Sequence, residues 1–261
     1  MRTLRLLVHQ VRYEQLLYWR NPSSAVFTFA FPIIMLVIFA SINRNASLPG
    51  MSGIGYTQYF VPGMVAFGLI SACYTQLGIA MCFRRDLGVL KRARGTPLPP
   101  WIFMAGSIGS CLVVSAILVA LTTAMGVLFY GVVFPGRWSA LGLTLVAGAA
   151  CFCALGLAVS TIIPNAQASP AIVNGLLFPI LFISGTFWPA EPGSVLARIA
   201  SVFPVGHFQR ALFAVFDPRP GGAGIDGSAL AVMIAWTLFA LWIAITRFRW
   251  DPRLDRPRAH A

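Results

Sequence analysis

Six stretches of this chain contain no Asp, Glu, Lys, Arg or His: Ser23 to Ile42, Tyr59 to Phe83, Trp101 to Tyr130, Ser139 to Ile163, Pro170 to Trp188 and Ser228 to Thr246. At about 1.5 Å of helical rise per residue, each approaches or exceeds the roughly 30 Å thickness of a bilayer's hydrocarbon core. Lipid offers no water to backbone N–H and C=O groups, so a run in lipid must close its own hydrogen bonds as a helix. The alternating pattern of an outer-membrane barrel strand is absent. The expectation is an all-α integral membrane protein with six transmembrane helices, reading as one domain over residues 1–261 without internal repeats. Only 10% of residues are charged, against about 25% in soluble domains. A net charge of +12 would suit a nucleic-acid partner if the basic side chains gathered on one folded face. Here they lie between the apolar runs, so nucleic acid is not expected.

Lys and Arg near span ends are retained in the cytoplasm. With six spans, the termini and the second and fourth loops share a side that carries 14 of the 19 basic residues, leaving 5 on the other. Both termini are therefore expected in the cytoplasm. The balance of Arg over the single Lys91 hints at a GC-rich bacterial genome, and so at the inner membrane of a bacterial cell. The first apolar run follows a segment of mixed polarity with no small-residue cleavage site and is expected to stay as a span. Cys73, Cys82, Cys111, Cys151 and Cys153 all fall within the runs and read as small apolar packing residues. Cys151 and Cys153 are two apart and face different sides of a helix, which argues against a metal pair.

Three segments outside the runs have a pattern of their own. Residues 1–22 read as an amphipathic helix at the cytoplasmic interface, with Leu4, Leu7, Val8 and Val11 in one sector and Arg2, Arg5, His9 and Arg12 opposite. Pro22 is expected to end it. Residues 84–100 form a basic loop in which Leu87 and Leu90, at i and i+3, predict a short helix with an apolar ridge. Gly95 and the prolines that follow would stop it. Residues 189–227 hold two short apolar pieces joined at Pro204-Val205-Gly206, each too short to cross alone; they either lie flat on the outer surface or re-enter the bilayer.

The missing chemistry is as informative. Ion-driven transporters place ionisable groups at membrane depth, and these runs have none. The spacing of a phosphate-binding loop, G-x-x-x-x-G-K-[ST], does not precede Lys91. His9, His207 and His260 lie outside the runs and the seven acidic residues are scattered, so neither catalytic residues nor a metal site are expected. Uncharged polarity remains within the runs, chiefly Thr28, Ser71, Tyr74, Thr75, Gln76, Asn174, Ser184 and Thr186. Such groups either join helices by hydrogen bonds or line a route for an amphipathic solute.

The arrangement resembles the permease subunit of an ABC-2 type exporter, most closely the daunorubicin-resistance-type permeases. Three stretches carry the resemblance. Leu90-Lys91-Arg92-Ala93-Arg94-Gly95-Thr96-Pro97-Leu98-Pro99 is similar to the family's coupling-loop motif. Phe182-Ile183-Ser184-Gly185-Thr186-Phe187-Trp188-Pro189 ends the fifth run, and Phe203-Pro204-Val205-Gly206-His207-Phe208 through Ala211-Leu212 is similar to the outer re-entrant motif. At Gly206 and Arg210 the chain departs from related sequences, which often carry a charged or hydroxyl residue and an acidic one there. The resemblance implies a re-entrant helical segment between spans five and six. It also implies two separate ATPase subunits that hold ATP and magnesium, a second permease copy or homologue, and no cofactor on this chain. It assigns contact with the ATPase to Arg84, Arg85, Asp86, Leu87, Leu90, Lys91, Arg92, Arg94 and Gly95. A solute route would use Thr28, Ser71, Gln76, Asn174 and Ser184, and an outer gate Pro204, Gly206, His207 and Arg210. The expected function is outward movement of a drug, lipid or polyketide-like product, against the alternative of a non-transporting membrane anchor or assembly protein.

Overall fold

The computed structural model describes residues 2–44, 46, 54–95, 99–134, 136–188, 195–219 and 224–248. They form α1 (Arg2–Trp19), α2 (Pro22–Ile42), α3 (Tyr56–Ile70), a π-helical segment (Ser71–Gln76), α4 (Leu77–Asp86), α5 (Val89–Arg94), α6 (Pro100–Tyr130), α7 (Trp138–Ile162), α8 (Ser169–Ile183), α9 (Val195–Ala200), α10 (Pro204–Phe216) and α11 (Gly227–Arg247). Among the described residues, five helices are long and apolar enough to cross a membrane: α2, the continuous helix of α3, the π segment and α4, then α6, α7 and α11. The chain is a multi-pass membrane protein.

The fifth apolar run is a correction to the sequence reading. Its helix, α8, has 15 residues and stops at Ile183, not near Trp188; at about 22 Å it falls short of a full crossing. The Ser184 hydroxyl donates to Leu181 O, and Gly185 turns the chain with φ +80°, a conformation that favours glycine. One face of α3 then holds the turn. Tyr59 donates to Gly185 O, Tyr56 donates to Phe187 O at 3.1 Å, and Gly63 leaves room for Thr186 O, which a Cβ there would meet at 2.3 Å.

The continuous helix is the hub, with nearly every residue of α3 buried, while α2 and α11 leave large apolar side chains such as Ile34, Ile38, Leu238 and Trp242 exposed. Small residues permit close crossings, as expected where lipid removes any hydrophobic drive between helices. A Cβ on Gly156 of α7 would lie 2.8 Å from Tyr74 O in the π segment, and Ala154 and Ala158 of α7 pack with Ala240 of α11.

α1 lies along α6, seated where Gly106 and Gly109 leave a groove; a Cβ on either would strike Gln10 or Val11. The expected apolar sector is split. Leu4 and Val8 are exposed, as are Arg5, His9 and Arg12, whereas Leu7 and Val11 turn toward the bundle beside the polar Gln10, Glu14 and Gln15. Gln15 donates to Ser110 O at 2.9 Å and lies 2.8 Å from its Oγ. Pro22 does not end α1; it opens α2, where its missing N–H costs nothing.

In the segment between α8 and α11 the joint falls at Ser201–Phe203, about one turn earlier than the sequence suggested, with Pro204 in the first turn of α10 and Gly206 inside that helix. α10 is buried among α3, α7 and α11, its Phe208 ring filling the space above Gly148 and meeting Phe152 at 5.5 Å. Residues 189–194 and 220–223 lie outside the described residues.

Gly63→Ala must push the Thr186 backbone away, whereas Gly142→Ala in α7 meets nothing within 4 Å. The first is expected to destabilise by about 1–3 kcal/mol and the second to be neutral or stabilising. Paired thermal-unfolding midpoints in detergent measure the contrast.

Candidate functional site

A cavity of about 1060 Å³ lies between the end of α1, the first half of α2, the π segment and α4, the start of α6, and α8. Four residues named from sequence as a solute route, Thr28, Ser71, Gln76 and Asn174, line it together, from three separate elements. Ser184 does not join them. It is buried in the turn after α8, with its Oγ 3.0 Å from Thr186 Oγ1. The rest of the wall is largely apolar and aromatic, including Phe27, Phe31, Phe67, Phe83 and Phe178. The π segment forms part of this wall and nothing in the sequence announced it. Such insertions occur often at functional sites, because they interrupt the regular i→i−4 ladder and re-aim the side chains beside it.

At one end of the cavity sits an ion pair that sequence reading missed. Glu14 of α1 is 4% exposed and meets the Arg84 guanidinium of α4. The same carboxylate accepts from Gln10 at 3.2 Å and from the Ser107 hydroxyl at 3.2 Å. Arg84 also donates to Ser107 Oγ at 2.7 Å and lies 5.5 Å above the Phe103 ring. Each charge is thus satisfied by the other and by neutral partners, the condition under which a buried pair is tolerated. A signal existed: Glu14 is the sole acidic residue before Asp86, and a carboxylate on a basic helix calls for a cation from elsewhere.

The basic loop divides into inward and outward halves. Arg85 is buried and donates to Ser160 O at 3.1 Å and Ile163 O at 3.0 Å, satisfying carbonyls at the C-terminal end of α7. Asp86 pairs with Arg85 at 3.1 Å and accepts from the Ala166 N–H at 2.6 Å. Arg84, Arg85 and Asp86 are therefore committed to contacts within the chain. Gly88, with φ +69°, then breaks the helix before α5. This corrects the expected ridge: Leu87 is 68% exposed and Leu90 is fully buried, because the left-handed glycine separates them. The outward half presents Leu87, Lys91, Arg92 and Gly95. Arg94 ends α5, while residues 96–98 of the motif fall outside the described residues.

Of the four residues expected at an outer gate, His207 and Arg210 belong to a second polar cluster. His207 meets Ser201 O at 2.7 Å through Nε2, and Arg210 lies 2.9 Å from its Nδ1. With Arg210 donating to Nδ1, the ring proton sits on Nε2 and points at the carbonyl. Arg210 also pairs with Asp226 at 2.9 Å, and Asp226 caps α11 by accepting from the Ala229 N–H at 3.0 Å. The ion pair at this end was not foreseen, although Asp226-Gly227-Ser228 before an apolar run is a helix-start pattern. Pro204 is buried at the start of α10, and a Cβ on Gly206 would crowd Ala200 O at 3.1 Å.

These features define a polytopic helical membrane protein with a partly open cavity between its helices, one wall of which leads on to an exposed basic helix. Residues 6–216 match the family model described as ABC-2 type transporter. Most of the sequence is covered by that match, and the chain belongs to this family. It is 25% identical over 163 residues to "Inner membrane transport permease YadH" of Escherichia coli K12, covering 60% of this chain and 62% of that protein. It is 22% identical over 156 residues to "Probable multidrug ABC transporter permease YbhR" of the same organism, covering 59% of this chain and 42% of that protein. The matched stretch is thus less than two thirds of either relative's length.

Replacing Glu14 by Ala strands Arg84 beside the cavity and is expected to lower stability by about 3–5 kcal/mol, whereas Glu14→Leu with Arg84→Met costs much less. Unfolding in a double-mutant cycle measures the difference. Asp226 offers a pH test. Burial pushes its carboxyl up, but bonds from Ser228 and Ala229 and the charge of Arg210 outweigh this and hold it below the usual range. A lowered carboxylate stabilises fully above its unfolded value of about 3.9 and loses that contribution as pH falls through the folded value. Thermal unfolding from neutral pH down through this window is expected to show a smaller acid loss in Asp226→Asn than in the parent chain.

Proposed function

We propose that this chain is the membrane-spanning permease subunit of an ATP-driven exporter of the daunorubicin-resistance type, moving a hydrophobic or amphipathic solute outward. The observation that carries this reading is the continuity of one helix. Its π segment presents Ser71, Thr75 and Gln76 to the cavity, and its far end bears Arg84 and leads through Gly88 to the exposed basic α5. Force applied to α5 by a nucleotide-driven partner passes through the Gly88 turn into the one helix that carries the cavity wall, which is clasped to α1 by the Glu14 pair. The names of YadH and YbhR, a transport permease and a multidrug ABC transporter permease, support the same reading.

In this scheme two ATPase subunits bind ATP and magnesium and receive Leu87, Lys91 and Arg92, with Arg94 and Gly95 completing the contact. A second permease copy or homologue covers the exposed faces of α2 and α8, and in its company α8 and the turn at 184–188 complete a sixth span. The α9–α10 pair re-enters the outer leaflet, where Pro204, Gly206, His207 and Arg210 form the gate. Both termini face the cytoplasm of the bacterial cell, in its inner membrane.

The test is the charge reversal Lys91→Glu with Arg92→Glu in a complex purified with its ATPase. Solute-stimulated ATP hydrolysis is expected to fall about tenfold or more, because like charges set against each other at an interface cost several kcal/mol, while membrane insertion is unchanged. Stimulation at the parent level in that variant would overturn the proposal.

A further inference from the structure

We infer that His207 is an acid-released latch: its neutral ring holds Arg210 against Asp226, and so α10 against α11, and a proton added at Nδ1 expels Arg210 and frees this end of the bundle. The inference gives a regulation to the gate proposed above, and its consequence for transport rests on that reading. The latch itself follows from which atoms can donate.

A guanidinium carries N–H groups and no acceptor, so Arg210 can only donate. Its Nη2 lies 2.9 Å from His207 Nδ1, and Nδ1 must therefore be bare. The proton of the neutral ring is then on Nε2, 2.7 Å from Ser201 O in the joint before α10. Both ring nitrogens are committed, one as acceptor and one as donor, in a residue only 7% exposed. A second proton turns the acceptor into a donor. An N–H then faces an N–H, and a cation faces a cation. Arg210 is the partner able to leave, because its side chain is 53% exposed, while the bond from Nε2 to Ser201 O is unaffected.

The departure matters because the same guanidinium crosses between helices. Its Nε donates to Asp226 at 2.9 Å, at the head of α11, and its Nη2 lies 3.5 Å from Ser228 Oγ. Asp226 keeps its bond from the Ala229 N–H, so α11 stays capped and only its tie to α10 is lost.

The surrounding elements bring no second group of this kind among the described residues. Asp226, whose carboxyl is held below the usual range against the opposing effect of burial, stays ionised. α8 has no ionisable side chain, and α3 brings Tyr56 and Tyr59, whose hydroxyls are spent on the turn after α8. α7 brings Cys151 and Cys153 and, before its first turn, Arg137, which donates to Ala214 O near the far end of α10. α9 carries the exposed Arg198, Asp217 pairs with Arg219 beyond the last turn of α10, and Arg247 closes the opposite end of α11. Of these side-chain types, histidine is the one whose charge change is centred between about pH 5 and 8.

The experiment places a nitroxide on Ile225→Cys, the exposed position beside Asp226, in the full chain in nanodiscs. The five native cysteines are buried, so labelling is directed to the new thiol. As pH is lowered from about 8 to about 5, the spectrum is expected to gain a mobile component in one transition. Arg210→Gln is expected to show that component at every pH. His207→Asn, whose amide oxygen accepts from Arg210 but takes no proton in this range, is expected to keep the immobile spectrum throughout. Ring nitrogen NMR shifts of the histidine-labelled parent chain give a second readout, in which His207 gains its Nδ1 proton over the same range as the label is freed. An unchanging parent spectrum, the same transition in His207→Asn, or a His207 ring that stays neutral while the label moves would each overturn the inference. The two parent readouts decide it even if a variant fails to fold. Neither needs solute or ATPase, so their failure is separate from a failure of the charge reversal at Lys91 and Arg92.

Discussion

Inside a bilayer a helix that stops short must have its last carbonyls satisfied by protein, and in this fold one helix does that for several others. From the continuous helix Tyr56–Asp86, Tyr56 and Tyr59 donate to carbonyls in the turn after α8. Gln58 donates to Phe216 O at the end of α10 at 2.7 Å and accepts from the Val133 N–H after α6 at 2.8 Å. At its other end Arg85 reaches the final carbonyls of α7. Each bond is worth about 1 kcal/mol net, but leaving such a group unmade costs more. The arrangement therefore ties the positions of α6, α7, α8 and α10 to one element. Movement of that element is movement of the bundle.

The same helix explains why the cavity sits where it does. A regular α-helix through Ser71–Gln76 would keep its side chains in register with those of α3, which are committed to packing. The π segment shifts the register, and within it Ser71, Thr75 and Gln76 contribute to the wall that α2 and α8 share. Close packing on the opposite side is preserved, because Gly156 lets α7 lie against the π segment's backbone.

Much of this architecture was legible in the residues. Charge-free runs located the five long helices, since excluding ionisable groups over that length has few other causes, and the polar residues Thr28, Ser71, Gln76 and Asn174 were visible within them. Other features depend on partners distant in the chain. The early end of α8 follows from tyrosines more than a hundred positions away, which no local pattern encodes. The division of the basic loop followed the same logic: Arg84, Arg85 and Lys91 look alike in sequence, and only the fold places Glu14 and the carbonyls of α7 beside the first two. The left-handed Gly88 was a local cue overlooked, a glycine between Leu87 and Leu90 that interrupts the helix needed for an apolar ridge.

The pairing of Glu14 with Arg84 has an electrical consequence. A transmembrane voltage does work of about 2.3 kcal/mol per elementary charge per 100 mV on any charge that travels through the field. Two opposite charges joined in one clasp move together, and their displacement sums to almost no current. With no Asp, Glu, Lys, Arg or His in its apolar runs, the bundle can rearrange while carrying little net charge through that field.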